Sequence, residues 1–228
     1  MAAKTKKILL AGATGMVGQL VRQQCIEHPD IQEIISLVRT KSSDTHAKVT
    51  EVVVTDFTNY EKYTHFFEGI SVIYFCIGVY TGAVDRQRFR AITVDYPVAL
   101  AKAVFSHSPE ANFCLLSGSG ADRTEQSKMM FAKDKGAAEN QLSAIGFANF
   151  YSFRPGYIYP VTPRKEPNFS YRLARWLYPL LKLMGPNASI TSEALAKAMF
   201  GIGLQSEIQE VFENKDMLNW LAINKIAY

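Results

Sequence analysis

Apolar residues along this chain gather into short continuous runs, and between the runs they recur at helical spacing. Lys6 to Ala11 predicts a short buried strand that stops at glycine. From Met16 to Glu27 the apolar positions 16, 17, 20, 21 and 25 predict a helix that ends near Pro29. Glu33 to Val38 and Val49 to Thr55 read as the second and third strands, and Tyr60 to Glu68 as a short helix closed by Gly69. Ser71 to Ile77 predicts a fourth strand, ahead of Gly78. A long helix follows from Phe89 to Ser106, and Pro97 inside it either kinks it or marks its true first turn. Ala111 to Leu116 is a fifth strand, Ser127 to Ile145 a helix ended by Gly146, and Asn149 to Phe153 a sixth strand before Arg154-Pro155-Gly156.

Continuous apolar strands alternating with helices indicate a parallel sheet covered on both faces. The expected fold class is therefore α/β, a doubly wound parallel sheet with ligands at the carboxyl ends of its strands. Beyond Gly156 the pattern is irregular: a loop to Asn168, an amphipathic stretch from Phe169 to Met184, and a helix from Ser192 to Leu204 capped by Thr191 or Ser192. A strand at Glu210 to Glu213 and a last helix complete the chain. This tail, roughly 157–228, reads as a small substrate-side lobe within one domain, because 228 residues suit a single large unit.

Composition narrows the function classes. With 48% hydrophobic and 20% charged residues the chain is too apolar for a disordered protein and can bury a sizeable core. The net charge of +4 is spread along the sequence with no basic block, which argues against nucleic acid and leaves a small anionic ligand open. Cys25, Cys76 and Cys114 stand far apart, as reduced thiols of a cytoplasmic protein do, and the four histidines never fall at metal-ligand spacing. No metal is expected. Lys4, Lys6 and Lys7 before Ile8-Leu9-Leu10 imitate the start of a signal peptide, but the apolar run ends at once in glycine and is read as the first strand. No stretch approaches the ~20 apolar residues that a membrane span needs.

The strongest motif is Gly12-Ala13-Thr14-Gly15-Met16-Val17-Gly18, set between the first strand and the first helix. Gly12 permits a tight turn, Gly15 lets the backbone approach a pyrophosphate, and Gly18 lets the helix pack close to the sheet. Amides at the helix start then face the phosphates with the helix dipole in their favour. Its strand-turn-helix setting is the context that distinguishes a dinucleotide cradle from a convenient glycine turn.

The G-x-x-G-x-x-G spacing with Thr14 resembles the short-chain dehydrogenase/reductase superfamily in its extended or atypical branch, which includes nucleotide-sugar epimerases. Other positions match in order. The resemblance implies that Asp56 and Phe57 lie where the family contacts adenine and that Cys76-Ile77-Gly78 forms the small-residue turn beside the cofactor. It also implies that Thr93 to Tyr96 lies near the start of the following helix, and that Pro155 and Gly156, after Arg154, pass the nicotinamide. Leu115-Leu116-Ser117, Gly120-Ala121-Asp122, Phe153 to Gly156 and Glu213-Asn214-Lys215 look like small oxidoreductases of the Tat-interacting-protein type. The likeness covers nearly the whole chain and is loose beyond residue 156.

The end of the second strand bears on NAD against NADP. An acid there binds the ribose hydroxyls and repels a 2′-phosphate, but here the strand ends Val38-Arg39-Thr40-Lys41-Ser42, with no acid until Asp44. Arg39, assisted by Lys41 or Ser42, favours NADP, with NAD as the alternative.

At the catalytic position this sequence departs from the family. In the family a tyrosine exchanges the proton there, while a lysine four residues later lowers its pKa and holds the nicotinamide ribose; the matching positions are Phe131 and Lys135. The lysine is present and the phenol is not. Tyr178 and Lys182 repeat the spacing in the wrong place and are read as one packed helical face. Ser119, with Ser117, is the candidate to hold a substrate carbonyl. Tyr80, Tyr157, Lys133 and a water on Ser119 are open as relocated proton donors, and Tyr157, Tyr159 and Arg164 lie on the loop expected beside an unidentified small-molecule substrate. Three readings follow: an NADP(H)-dependent reductase or epimerase-like enzyme, a sensor that has lost catalysis and acts through a partner, or a structural protein using the fold without a cofactor, which the intact glycine turn argues against. Trp176, Tyr171, Leu177, Tyr178, Leu180 and Leu181, beside Arg172, Arg175 and Lys182, are read as a helix packed on the sheet, with a lid, a homodimer surface or a membrane-facing helix as alternatives.

Overall fold

The computed structural model describes residues 5–43, 46–162, 178 and 185–228. The chain alternates strand and helix from the start: β1 (Lys6–Ala11), α1 (Gly18–Glu27), β2 (Ile31–Val38), β3 (Val49–Val53), a 3₁₀ turn (Glu61–Phe66) and β4 (Val72–Phe75). There follow α2 (Arg86–Arg90), a π-helical segment (Ala91–Asp95), α3 (Tyr96–Phe105), β5 (Asn112–Leu116), α4 (Met130–Ser143) and β6 (Asn149–Arg154). The last described elements are β7 (Tyr157–Tyr159), β8 (Ser189–Thr191), α5 (Ser192–Leu204), β9 (Val211–Glu213) and α6 (Asn214–Ile223).

Seven strands form one parallel sheet in the order β3-β2-β1-β4-β5-β6-β9. This is the doubly wound arrangement, and the strand order reverses between β1 and β4. The period of two along each strand divides the core. Ile8, Leu10, Ile34, Val72 and Tyr74 pack on one face with Val21 of α1, Met199 of α5 and Leu221 of α6. Leu9, Ala11, Ile35, Ile73 and Phe75 pack on the other with Leu100 and Val104 of α3 and Leu142 of α4. β1, β4 and the second half of β2 are buried on both sides, which is why each reads as a continuous apolar run, whereas β3 at the sheet edge is buried only at Val52.

Three expectations change. The long helix begins at Arg86 rather than Phe89 and contains the π segment, and Pro97 sits in the first turn of α3, the second of its two expected places. Pro97 has no amide to donate one α-turn back, and the wider π turn ahead of it absorbs the missing bond. The tail is more than a lobe beside the sheet. β9 extends the sheet past β6, and α5, capped by Thr191 accepting from the Ala194 amide at 3.0 Å, covers the face that α1 leaves open. The Tyr74 hydroxyl donates to the Phe200 carbonyl at 2.7 Å, and Gly203 leaves room for Tyr74 and Cys114, either of which would stand under 3 Å from a Cβ there (2.7 and 2.8 Å). Finally, β7 and β8 pair in a separate two-stranded parallel ribbon that the sequence pattern misses.

Candidate functional site

The glycine turn after β1 is packed from both sides. Gly12 holds φ +91°, and a Cβ there would meet the Cys76 carbonyl carbon at 2.7 Å, so the turn lies directly against the end of β4. A Cβ at Gly18 would stand 2.1 Å from the Gly12 carbonyl oxygen, so α1 starts in contact with the turn. The Gly15 amide donates back to Gly12 at 3.0 Å and Gln19 to Gly15 at 3.0 Å, while the amides of Met16, Val17 and Gly18 have no acceptor among the described residues. Unsatisfied amides at the start of a ten-residue helix suit an anion. Val17 itself is buried and anchors the helix to the core.

Beside this turn, at the β1/β4 reversal, lies a cleft of about 470 Å³. Gly12, Thr14, Gly15, Arg39, Phe57, Cys76, Ile77 and Gly78 line it, which brings together the turn, the end of β2 and the ends of β3 and β4. Arg39 is exposed and has no carboxylate partner among the described residues. The cleft thus offers a backbone cradle for a pyrophosphate and a cation for a further anionic group, a donor set that fits a dinucleotide. Asp56 stands apart from that lining. Its carboxylate accepts from the Thr58 hydroxyl at 2.7 Å and amide at 2.8 Å, and these bonds hold its pKa below the ordinary 3.8. Ser42 is likewise engaged, donating to Glu51 through its amide at 2.8 Å and its hydroxyl at 2.9 Å. Lys41 is at the surface.

Sequence reasoning missed Arg88 and Ile92 and gave Tyr96 only a place near a helix start, yet all three line the cleft. Their spacing of four was the available signal, hidden because the helix was started after Arg88. Tyr96 stacks on Phe57 with centroids 5.5 Å apart and planes at 26°, giving the cleft an aromatic wall.

The helix after β5 carries the candidate catalytic positions. Phe131 is half-buried, and its ring tip faces Gly118: a Cβ on Gly118 would stand 2.7 Å from the ring Cζ. One turn on, Lys135 is half-buried as a residue, and its buried ammonium donates to the Leu116 carbonyl at the end of β5, at 3.2 Å. Burial pulls its pKa down from 10.5 to about 8, against an opposing pull from Glu139. Glu139 is committed elsewhere. Its buried carboxylate accepts from Ser117 at 2.6 Å, Ser152 at 2.7 Å and Arg123 at 2.8 Å, and from Arg154. Burial pushes its pKa up, but the bonds from Arg154, Ser117, Arg123 and Ser152 outweigh that and hold it below 4.5. Ser117 is therefore spent inside the core, whereas Ser119 is exposed and its amide donates to the Pro155 carbonyl at 2.9 Å. That bond joins the serine loop to the segment after β6. Gly156 donates to Asn214 Oδ1 at 3.0 Å, and a Cβ there would lie 2.6 Å from the Ala188 oxygen, so it serves close packing against the 187–188 turn.

Tyr178 stacks on Tyr159 at 3.9 Å and 17°, with Tyr157 at 6.5 Å. Lys182, Arg164 and the rest of the 169–184 stretch, with its lid, dimer and membrane readings, lie outside the described residues, as does Asp44. Among the described residues no group of three His, Cys, Asp or Glu side chains could hold a metal, and no helix is long and apolar enough to cross a membrane.

A profile of the NAD(P)H-binding family matches residues 12–175. The protein HTATIP2 of Rattus norvegicus is 23% identical over 222 residues, covering 95% of this chain and 89% of that one. The mitochondrial protein fmp52 of Emericella nidulans is 26% identical over 214 residues, with 90% of each chain covered. Among solved structures, the carbonyl reductase Sniffer of D. melanogaster superposes with a TM-score of 0.63 at 14% identity, covering 92% of this chain and 97% of that one.

Proposed function

This chain belongs to the NAD(P)H-binding family and to the atypical short-chain dehydrogenases/reductases, and from that premise we propose that it is an NADP(H)-dependent reductase of a small carbonyl compound in which Lys135 supplies the proton. The observation that carries the reading is the Lys135 ammonium, held at the carboxyl edge of the sheet with one carbonyl acceptor and with Phe131 where a phenol is expected.

Residues 15–18 hold the pyrophosphate on backbone amides, and Arg39 takes the 2′-phosphate. Phe57 and Tyr96 would wall the adenine end and the turn at 76–78 would flank the ribose, since all of them line the cleft. When bound, the nicotinamide supplies a hydride to the acceptor carbon. Ser119 orients the carbonyl oxygen. Lys135 Nζ gives that oxygen a proton and regains one from water, which a group with pKa about 8 does readily at neutral pH. The buried free thiols of Cys25, Cys76 and Cys114 suit a reducing compartment, and we assign the protein to the cytoplasm.

One observation favours a second reading. The Phe131 ring closes on Gly118 with a fit that leaves no donor at its tip, as in a protein that binds NADP(H) and reports it to a partner without turnover. Fluorescence titration with NADPH and NADH, followed by a panel of small aldehydes, ketones and quinones, separates the two. Binding with oxidation of NADPH on any of the panel supports the reductase. Tight binding with no turnover overturns it in favour of the sensor, and absence of binding overturns both.

A further inference from the structure

Helix α2 carries three arginines in alternation, and the structure divides them. Arg86 and Arg90, one turn apart, both bond the fully buried carboxylate of Asp134 on α4, Arg86 through two nitrogens and Arg90 at 3.1 Å. Arg88 points the other way. It lines the cofactor cleft, with its guanidinium 5.7 Å from the centre of the Tyr96 ring. Among the described residues it has no carboxylate partner, since Asp85 accepts only its backbone amide, at 2.8 Å. Arg39, from the end of β2, lines the same cleft and is equally uncommitted among the described residues. By contrast, Arg123 and Arg154 are both tied to Glu139.

The backbone maintains this arrangement. Residues 88, 92 and 96 step by four, and in a regular α-helix each step overshoots the face by about 40°. The π segment at 91–95, with more residues per turn, reverses that drift and returns Tyr96 beneath Arg88. Asp134 fixes the helix from behind, so Arg88 is presented to the cleft by an anchored element.

Two uncommitted guanidiniums facing one cleft suit a dianion, and one would leave it half neutralised. We propose that Arg88 is a specificity-determining residue that, with Arg39, grips the 2′-phosphate of NADP(H). This rests on the cofactor reading above and deepens it.

The test is calorimetric titration of the full chain with 2′,5′-ADP and with 5′-ADP, which need no turnover. Wild type binds 2′,5′-ADP at least tenfold more tightly than 5′-ADP. In Arg88→Gln, an exposed position whose loss leaves the fold intact by circular dichroism, 2′,5′-ADP weakens roughly 10- to 100-fold, the usual effect of losing a charge-assisted bond. Binding of 5′-ADP changes less than about twofold. Equal weakening of both ligands makes Arg88 an adenine-stacking residue and overturns the proposal, as does no weakening of either. If wild type itself fails to distinguish the two ligands, the NADP reading falls and Arg88 with it. If wild type discriminates and Arg88→Gln still does, only the role of Arg88 falls.

Discussion

The ring of Phe131 and the missing side chain of Gly118 are complementary: the ring's para carbon reaches to within 2.7 Å of where a Cβ on Gly118 would stand. That carbon is where a tyrosine carries its hydroxyl, so Phe131→Tyr sets a phenol oxygen against the serine loop at Gly118. We expect the variant to keep NADPH affinity within about twofold and to raise reductase turnover at least tenfold, short of the roughly 100-fold or more that a positioned acid contributes because Lys135 already supplies part of the proton step. Steady-state NADPH oxidation on an active carbonyl substrate measures it; unchanged turnover would mean that Lys135 already saturates the proton step or that no step occurs. Gly118→Ala drives a methyl into the ring and costs about 1–3 kcal/mol, read by urea denaturation.

Lys135 makes both binding and stability depend on pH. Its folded pKa of about 8 lies below the ordinary 10.5, so the unfolded chain holds more protons than the folded one between those values. Stability from this group therefore rises as pH climbs from about 8 toward 10.5. Lys135→Met removes the penalty of keeping a buried ammonium, and its advantage over wild type in denaturation is largest below pH 8 and shrinks above it. An anionic cofactor favours the charged form, so NADPH affinity falls as pH rises through about 8 in wild type and stays flat in Lys135→Met. Fluorescence titration across that range checks both slopes.

The strands and the glycine turn were legible because they are governed by local signals. An apolar run such as Ile8-Leu9-Leu10 has one good solution, burial on both faces, and Gly12 and Gly18 sit where any side chain would strike backbone. What was not legible depends on contacts between distant elements. Glu139 and Asp134 read as ordinary charges on a helix, yet both are fully buried and neutralised by arginines from other segments. Ser117 was a reasonable substrate contact by position until Glu139 claimed its hydroxyl. The three-residue strands Tyr157–Tyr159 and Ser189–Thr191 are too short to show alternation, and they hold together only because Gly156 lets the 187–188 turn approach.

Glu139 is a strong determinant of stability. Its carboxylate joins β5, β6 and α4 through Ser117, Ser152, Arg123 and Arg154, and it is held ionised below its ordinary 4.5. Its contribution is therefore present above pH 4.5 and lost as pH falls through the lower folded value. Glu139→Gln removes the buried carboxylate that Arg123 and Arg154 share, leaving them only Glu210 and Glu213 among the described residues, and destabilises by about 3 kcal/mol at neutral pH, read by urea denaturation. The gap to wild type closes on acidification; a gap independent of pH below 4.5 would show that charge is not the cause.

Arg39→Glu tests the cofactor choice at the end of β2. The substitution places a carboxylate that accepts from the ribose hydroxyls of NADH and repels a 2′-phosphate. We expect the ratio of NADPH to NADH affinity to invert, with a change of at least 100-fold in that ratio. An unchanged ratio, measured by fluorescence titration, removes Arg39 from the discriminating site.

The three turn glycines separate folding from binding. Gly18→Ala sets a Cβ 2.1 Å from the Gly12 carbonyl oxygen, a backbone atom that cannot step aside, so the loss is one of stability. Gly12→Ala adds a left-handed φ of +91° to a 2.7 Å clash with Cys76, with the same result. Gly15 differs. Its nearest neighbour to a new Cβ is the Gly12 oxygen at 3.3 Å, a contact that a shift of a few tenths of an ångström relieves. Gly15→Ala should therefore fold with a Tm within a few degrees of wild type, yet bind NADPH at least tenfold more weakly, because the methyl stands where the backbone must approach the pyrophosphate. Thermal melts and titration on the same preparations distinguish the two effects. A Gly15→Ala protein that binds as wild type does would move the phosphates off this turn, and with them the cofactor.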